Sequence, residues 1–541
     1  MKRKRPPRGR RPDAAATTEL SGLLGEMPRR PDLLIEALHR INDAHHAIPE
    51  ALLVALAEEF QLSVAQVFEV ASFYHHFHIT PQPDGRTVLR VCDSMVCQMA
   101  GSGALLEAAR QALGDSLRIE RVPCVGRCAD APVAVLGQHP LGRATVETLK
   151  SAVRRGDTSA PEPVPTPPKT PYATLQRWRQ REQPETLLER LDQAGLRGLG
   201  GAGFPAARKW HAVRRQPTPR YLVVNIDEGE PGTFKDRHLL ETAVQRCIEG
   251  ALLAAWAVEA EAVYFYLRDE YAGCRALLLR ELAALRADPP CPLPALHLRR
   301  GAGAYVCGEE SALIESLEGK RGMPRLRPPY VAARGLFGRP TLTHNLETLY
   351  FVAEIAARGA DFFRGAGRHG RSGLRHYSLS GRVRRPGVYR APAGITLREL
   401  IDEYGGGMAA GHRLHAYFPG GAAGGVLPAS LADLPLDFDT LQPHGAFIGS
   451  AAVMVLSDHD DVKAAVCQAL QFFAAESCGQ CTPCRGGTVQ ALRLLRQPRP
   501  DVAQLQALAM VMQDASICGL GQAAPNPFLC LLRHFPEEVT R

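Results

Sequence analysis

Eight cysteines in two spaced sets constrain this chain most strongly, because each set has to bring distant segments to one point. The first set has the spacing C-x4-C, 26 intervening residues, then C-x3-C. The second set is C-x2-C-x2-C with a further cysteine after 33 residues. Four thiolates bind zinc or iron and sulfide, and structural zinc more often uses pairs spaced by two. The wider spacing of the first set therefore favours a 2Fe-2S cluster at Cys92, Cys97, Cys124 and Cys128. In the second set three cysteines two apart can cap one face of a cubane and a distant fourth can close it, which favours a 4Fe-4S cluster at Cys478, Cys481, Cys484 and Cys518.

A glycine-rich loop predicts a second kind of site. Gly198, Gly200 and Gly203 form G-x-G-x-x-G and lead into a helical pattern. Backbone N–H groups of such a loop, at a helix N-terminus, bind phosphate. A Rossmann dinucleotide site needs a strand directly before the loop, but Glu185–Gln193 predicts a helix ending at Gly195. The alternatives are a non-Rossmann phosphate loop and a glycine turn without ligand.

Two polar clusters follow predicted strands. Tyr221–Val224 is a short apolar run that ends in Asn225, Asp227, Glu228 and Glu230. The segment YVCGEE, residues 305–310, follows a strand-like run at Ala295–Leu298. Because open α/β sheets bind ligands beyond the carboxyl ends of their strands, both clusters are candidate binding residues.

These motifs together resemble the flavin-carrying, NADH-oxidising subunit of respiratory complex I and its relatives in soluble hydrogenases and NAD-linked formate dehydrogenases. The resemblance covers nearly the whole chain. It implies FMN and NAD(H) as cofactors, together with one 2Fe-2S and one 4Fe-4S cluster held by the eight cysteines. It also implies that a thioredoxin-like 2Fe-2S subunit, often separate, is fused here to the flavin subunit.

The resemblance assigns the flavin site residue by residue. It implies FMN binding by Gly198, Gly200, Gly201, Gly203, Lys209, Asn225, Asp227, Gly308, Glu309, Asn345 and Thr348. It places Phe204, Glu230, Glu310, Arg327 and Tyr330 in the dinucleotide pocket, and Glu228 and Tyr305 are further cofactor-binding candidates. Glu230 and Glu310 are the expected catalytic residues, acting by position and charge, since hydride transfer needs no general base. Leu199 and His344 depart from the complex I pattern, which has Arg and Asn there.

The patterns predict a multidomain α/β protein with seven parts. They are a disordered basic tail (1–18), a helical segment (19–80), a thioredoxin-like 2Fe-2S domain (86–155), a proline-rich linker (156–171), a non-Rossmann FMN- and NAD-binding α/β domain (172–370), a β-grasp domain (373–455) and a C-terminal helical bundle with the 4Fe-4S cluster (456–541). Ser63 and Gln66 predict a capping box. For the glycines at 420–425, packing or partner docking is favoured over a second phosphate loop.

Charge and composition exclude several function classes. Seven Lys and Arg of the net charge of +8 lie within residues 1–12, so the remaining chain carries only +1 and is no nucleic-acid surface. No apolar run is long enough to predict a membrane span. The remaining six cysteines (Cys247, Cys274, Cys291, Cys307, Cys467 and Cys530) are interpreted as buried free thiols, and with the clusters they indicate a reducing, cytoplasmic setting.

Histidines are frequent in the helical segment but do not predict a metal site. They are His39, His45, His46, His75, His76 and His78. Their spacing brings no set of them to one point, so we expect surface or capping histidines.

The predicted function is that of an electron-transfer (diaphorase) subunit. NADH gives two electrons as a hydride, iron–sulfur clusters take one at a time, and flavin connects the two. Leu199, the pair His344–Asn345 and the ending GLGQAAPN (519–526) resemble the diaphorases of NAD-linked formate dehydrogenases and hydrogenases more than complex I. The His344–Asn345 pair resembles formate dehydrogenase most. The expected partner is thus a molybdenum- or tungsten-dependent formate dehydrogenase catalytic subunit, with further iron–sulfur clusters, in a hetero-oligomer. A fused complex I subunit and an NAD-linked NiFe hydrogenase diaphorase are alternatives, as are a zinc-stabilised scaffold and a nucleic-acid protein.

Overall fold

The computed structural model describes residues 10–167 and 169–539. Residues 1–9 of the predicted basic tail lie outside the described residues. The first helix, α1 (Ala14–Leu24), begins inside the segment predicted to be disordered, so that segment is shorter than expected. Asp13 starts the helix because its carboxylate accepts a hydrogen bond from the backbone N–H of Ala16 at 2.6 Å.

A helical unit follows, with a short pair of parallel strands. Its elements are α1, α2 (Leu34–His45), β1 (Ile48–Pro49), α3 (Glu50–Glu59), α4 (Val64–Phe73) and β2 (Ile79–Thr80). The predicted capping box is confirmed, since Ser63 and Gln66 bond each other's backbone N–H. The N–H of Ile48 donates to the carbonyl of His78 at 2.7 Å, and this bond holds Ile48 in β1, directly before α3.

The thioredoxin-like unit is a four-stranded sheet in the order β4-β3-β5-β6. Its elements are β3 (Val88–Cys92), α5 (Met95–Met99), α6 (Ser102–Leu113), β4 (Arg118–Val122), β5 (Ala134–Leu136), β6 (His139–Leu141) and α7 (Val146–Arg155). Strands β3 and β4 are parallel, and the other pairs are antiparallel. Strand β6 was not predicted from the sequence, because its three residues are too few to show an alternating pattern.

The flavin unit has a parallel sheet in the order β10-β7-β8-β9. Its elements are α8 (Ala173–Arg181), α9 (Pro184–Ala194), α10 (Ala206–Arg214), β7 (Arg220–Ile226), α11 (Lys235–Val258), β8 (Ala260–Leu267), α12 (Ala272–Ala287), β9 (Ala295–Arg300), α13 (Glu310–Leu317), β10 (Thr341–Asn345), α14 (Leu346–Arg358) and α15 (Ala360–Arg364). The glycine loop joins α9 to α10, with no strand before it, so the non-Rossmann prediction is confirmed.

The last two units complete the chain. The β-grasp unit contains β11 (Leu374–Gly381), β12 (Gly387–Pro392), α16 (Leu397–Glu399), β13 (Leu414–Phe418), β14 (Leu427–Pro428) and β15 (Ala452–Ser457), with the sheet order β12-β11-β15-β13-β14. The helical end contains α17 (Val462–Ala475), α18 (Thr482–Leu495), α19 (Val502–Ala515), α20 (Gly519–Ala523), α21 (Asn526–His534) and α22 (Pro536–Val539). Within the described ranges, no helix combines the length and hydropathy that crossing a membrane requires.

Helices α11 and α14 pack closely and also contact each other at their starts. Gly250 of α11 faces the backbone of α14, and a Cβ there would collide with the carbonyl oxygen of Leu349. Lys235 begins α11, and its Nζ lies 3.1 Å from the side-chain oxygen of Asn345, directly before α14. A kink at Ala243 separates these two contacts along α11.

Replacing Gly250 with Ala is expected to separate the two helices and lower the stability of the flavin unit by about 1–3 kcal/mol, the usual cost of overpacking. The matched control is Gly22→Ala in the exposed part of α1, where an added Cβ meets nothing within 4 Å. That control should stabilise its helix by up to about 1 kcal/mol. The stability of both variants is measured by the denaturant concentration at the midpoint of unfolding, followed by tryptophan fluorescence. Equal midpoints for the two variants would show that the α11–α14 contact tolerates a methyl group.

Candidate functional site

A cavity of about 510 Å³ opens where the carboxyl ends of β7 and β10 meet the glycine loop. Residues from four parts of the chain line it: the glycine loop (Gly200 to Ala202), the flavin sheet edge (Asn225 to Asp236, 305–309 and Asn345), the β-grasp unit (Gly420, Ala423, Phe447, Gly449, Ser450) and the helical end (Gly519, Leu520, Gln522, Ala523, Asn526). This volume lies in the range of small-molecule and cofactor sites. The predicted flavin loop and the polar clusters thus meet in one place.

Two asparagines form the sheet edge of the cavity. Asn225 and Asn345 are register partners on the parallel strands β7 and β10. The Asn225 side chain donates to the carbonyl of Gly308 at 2.8 Å. The Asn345 carbonyl accepts from Lys235 at 3.1 Å and from the N–H of Glu347 at 3.1 Å, while its amide donates to Asp236. Both amides are therefore held in one orientation.

Asp227 presents an unsatisfied polar group to the cavity. One of its carboxylate oxygens is buried and has no hydrogen-bond partner among the described residues. Burial raises the pKa of Asp227 well above its ordinary value. An unpaired buried carboxyl is costly unless a ligand completes its hydrogen bonding. This fits a flavin with hydroxyl and ring N–H groups.

Glu228 lines the cavity, and its carboxylate is bonded to the start of α11 and to Tyr271. Its carboxylate accepts from the N–H groups of Asp236 and Arg237, at 2.8 and 3.1 Å, and from the Tyr271 hydroxyl at 2.9 Å. Burial raises the pKa of Glu228 to about 7. With its oxygens occupied by protein donors, Glu228 caps the start of α11 and shapes the cavity.

Glu230 is held by residues of two units. It accepts from the N–H of Ala423 at 2.7 Å and from the hydroxyl of Tyr305. Burial raises the pKa of Glu230 to about 7. Gly421 leaves space for the carboxylate, since a Cβ there would overlap it. The second glycine-rich loop, residues 420–425 of the β-grasp unit, therefore packs on the candidate catalytic carboxyl of Glu230.

Sequence reasoning missed a buried ionic network behind Asn345. Lys235, 1% exposed, contacts Asp236 at 2.9 Å and Glu347 at 3.1 Å, and His376 of β11 bonds Glu347 at 3.0 Å. Burial lowers the pKa of Lys235, but the two carboxylates outweigh it and the net pKa is raised. Among the described residues lining the cavity, Lys235 is the one cation. The available signal was the lysine and aspartate in FKDR, directly after the acidic cluster.

The glycine loop only partly faces the cavity. Gly200 and Gly201 line it, whereas the N–H of Gly198 donates to the carbonyl of Phe204 at 2.8 Å and Gly203 packs on Phe438. Thr348 lies behind the loop, where its hydroxyl accepts from the N–H of Leu199 at 2.9 Å.

The residues expected in the dinucleotide pocket are more dispersed. Lys209 pairs with Glu310 at 2.6 Å and donates to the carbonyl of Thr343 at 2.8 Å. Arg327 pairs with Glu309, which lines the cavity. Phe204 and Tyr330 are 51% and 61% exposed. Glu310, Arg327, Phe204 and Tyr330 do not line the cavity, and their roles toward NAD(H) stay predictions. Lys209 does not line it either, and its predicted role in FMN binding also stays a prediction.

The first cysteine set converges. The sulfurs of Cys124 and Cys128 lie 3.5 Å apart, and Cys92 hydrogen-bonds Cys97 and Cys124. All four thiols are buried. A closed thiol cage of this kind fits a 2Fe-2S cluster.

The second set lies at the junction of α18 and α20. Cys481 caps the start of α18, which contains Cys484, and Cys518 caps the start of α20. The two helices approach closely there, since a Cβ on Gly521 of α20 would lie 2.8 Å from the Cβ of Cys484. Cys484 and Cys518 are buried, and Cys478 and Cys481 are half-buried. This grouping fits a 4Fe-4S cluster.

Both cysteine sets are connected to the cavity wall. Arg268 donates to the carbonyl of Cys124 at 2.7 Å and also to the carbonyl of Glu228. The N–H of Tyr305 donates to Glu476 at 2.8 Å, two residues before Cys478. Direct protein contacts thus link the cavity to both cysteine sets.

Four family descriptions match the chain. They are the Nuo51 FMN-binding domain (191–354), the thioredoxin-like [2Fe-2S] ferredoxin (20–156), the NADH-ubiquinone oxidoreductase-F iron-sulfur binding region (464–541) and the SLBB domain (377–427). The three larger matches contain Gly200 and Gly201 of the glycine loop and both cysteine sets.

Individual relatives cover most of the chain. An F-type subunit of the NADH-quinone oxidoreductase of Rhizobium meliloti is 40% identical, and the match covers 68% of this chain and 91% of the relative. The F-type subunit of Rickettsia massiliae is 38% identical, and the match covers 72% of this chain and 93% of the relative. A chain of the NAD+-reducing [NiFe]-hydrogenase in the H2-reduced state superposes with a TM-score of 0.83 and 34% identity, covering 95% of this chain and 93% of that one. This protein therefore belongs to the family of F-type subunits of NADH-quinone oxidoreductase and is an NAD-dependent oxidoreductase subunit that carries FMN, a 2Fe-2S cluster and a 4Fe-4S cluster.

Proposed function

We propose that this chain is the diaphorase subunit of an NAD-dependent formate dehydrogenase, where it exchanges electrons between NAD(H) and a catalytic partner. The observation that supports the electron-transfer role most directly is the position of the cavity. Leu520, two residues from Cys518, lines the cavity, and Arg268 ties the wall residue Glu228 to Cys124. A redox cofactor in this cavity lies beside both cysteine sets.

Bound FMN supplies hydride exchange with the nicotinamide and one-electron exchange with the clusters. The residues of this chain bind and orient the reactants. Asn225, Asn345 and Asp227 offer amide and carboxyl groups to a flavin, and the backbone of Gly200 and Gly201 allows its close approach. Glu230 and Tyr305 stand on the opposite wall. No side chain is needed as a general base, so positioning and charge are the contribution of the protein.

The exposed side of α19 suits a partner subunit. Val502, Met510 and Val511 of this helix are 41–60% exposed. Helix α18 carries Cys484, and no charged residue lies between Asp501 and Asp514. Exposed apolar surface of this kind marks protein contacts. We assign it to the partner's iron–sulfur region, because it lies beside the 4Fe-4S ligands.

The formate dehydrogenase assignment depends on resemblance at Leu199 and His344. Both side chains are buried, and His344 accepts a hydrogen bond from the Trp210 indole at 2.7 Å. They shape the interior of the flavin unit and do not touch a partner. A hydrogenase is the second candidate, because the hydrogenase chain matches 95% of this chain, including its fused N-terminal half.

Affinity for NADH is expected to fall as pH rises through about 7, because ionised Glu230 adds negative charge beside the negatively charged dinucleotide. In Glu230→Gln this pH dependence of the KM for NADH should flatten. Steady-state NADH oxidation with an artificial acceptor across the neutral range measures it. Glu261→Gln, an exposed surface change, should behave as wild type. An unchanged profile in Glu230→Gln would assign the titration to another group.

Single cysteine variants are expected to separate the clusters. Cys481→Ser should lose the 4Fe-4S signal in EPR spectra and slow electron delivery to the partner, while NADH still bleaches the flavin absorbance. Cys97→Ser should lose only the 2Fe-2S spectrum. If reduced wild-type protein shows one cluster type, the assignment of two clusters is wrong.

The native complex is expected to reduce NAD+ with formate and to contain molybdenum or tungsten. Activity assays on the copurified complex, with metal analysis, decide the partner. Nickel with hydrogen-dependent NAD+ reduction would instead identify a hydrogenase. Quinone reduction by NADH in membranes would identify a complex I.

A further inference from the structure

Two histidines of the N-terminal helical unit converge on an aspartate of the flavin unit. His39 lies on α2, His76 follows α4, and Asp269 follows β8. One ligand atom from each lies within 4.8 Å of the other two. The imidazole of His76 contacts the Asp269 carboxylate at 2.8 Å. The sequence predicted no convergence of these histidines, because the third group comes from a residue nearly two hundred positions away.

His39 has the hydrogen bonding typical of a metal ligand. Its Nε2 lies 2.8 Å from the carbonyl of Gly301, which can only accept, so Nε2 carries the proton and Nδ1 carries the lone pair. Nδ1 is buried and has no hydrogen-bond partner among the described residues. The side chain is 2% exposed. A ring nitrogen bonded to a backbone carbonyl, with the other nitrogen free, is the usual arrangement of a metal-binding histidine.

Two arginines oppose a cation here, and the charge of one of them, Arg300, is also compensated by Asp43. Arg300 contacts Asp269 but also donates to both oxygens of Asp43, at 2.6 and 3.0 Å. Arg275 lies 3.3 Å from Asp269 and 3.2 Å from the side chain of Gln138. One carboxylate oxygen of Asp269 faces the arginines, and the other faces His76.

We propose that His39, His76 and Asp269 form a Zn²⁺ site that joins the N-terminal helical unit to the flavin unit. Two imidazoles and a carboxylate are zinc ligands, and water would complete a tetrahedral set. Zinc at about 2.0–2.1 Å from each ligand requires ligand atoms about 3.4 Å apart, so small side-chain rotations close the site. The zinc replaces the contact between His76 and Asp269 and satisfies Nδ1 of His39. This site is independent of the eight cysteines and of the partner's identity.

The test uses the purified full chain with its flavin and clusters, equilibrated with Zn²⁺ and freed of loosely held metal by gel filtration. We expect one zinc per chain by elemental analysis. The zinc X-ray absorption spectrum should show nitrogen and oxygen neighbours at about 2.0–2.1 Å without the sulfur shell at about 2.3 Å that cysteine-bound zinc gives. His39→Gln and Asp269→Asn should each lose this zinc at least tenfold.

His78→Gln is the matched control, since His78 is exposed and lies two residues from His76. It should keep the zinc. Flavin and iron contents equal to wild type verify that each variant is folded, and Asp269→Asn preserves the side-chain shape if His39→Gln fails this check. Absence of zinc from the wild type, a sulfur shell, or zinc retained by both site variants would overturn the proposal and leave a hydrogen-bonded ion-pair cluster.

Discussion

The buried ion pair of Lys235 with Asp236 and Glu347 is the constraint on which the cavity depends. A lysine that is 1% exposed is tolerated only when paired, and removing one partner of such a group costs about 3–5 kcal/mol. The three side chains come from the starts of α11 and α14, and the same two helices also pack closely at Gly250. Asn345 takes its orientation from the same network.

The network also extends to the β-grasp unit. His376 of β11 donates its backbone N–H to Glu347 at 2.6 Å and contacts the same carboxylate through its ring. The β-grasp sheet is thereby held against the flavin unit, and its glycine loop brings the N–H of Ala423 to Glu230. A unit with no cofactor-binding prediction of its own thus completes the wall of the cavity.

The sequence predicted the structural features that depend on local patterns. It did not predict the features that depend on contacts between residues far apart in the chain. Both cysteine sets, the capping box at Ser63 and the strand before Asn225 follow from spacing and periodicity. The burial of Lys235 could not be predicted, because its network partners Glu347 and His376 are more than a hundred residues away in the sequence. The residues next to a lysine in the sequence do not show whether it is buried or exposed. The glycine loop was predicted as a unit, yet only Gly200 and Gly201 line the cavity, since Gly198 and Gly203 bond or pack within the loop.

The negative charge of the cavity depends on the burial of the acidic residues that line it. Asp227, Glu228, Glu230, Asp236 and Glu309 line it together with one lysine, and a fully ionised set would repel a dinucleotide and a flavin phosphate. Burial raises the pKa of Glu228 and of Glu230 to about 7, and it also raises the pKa of Asp227. Near neutrality the cavity therefore carries less negative charge than its number of acids suggests. An acid-rich wall is thereby compatible with anionic ligands, provided that the units that bury it stay closed around it.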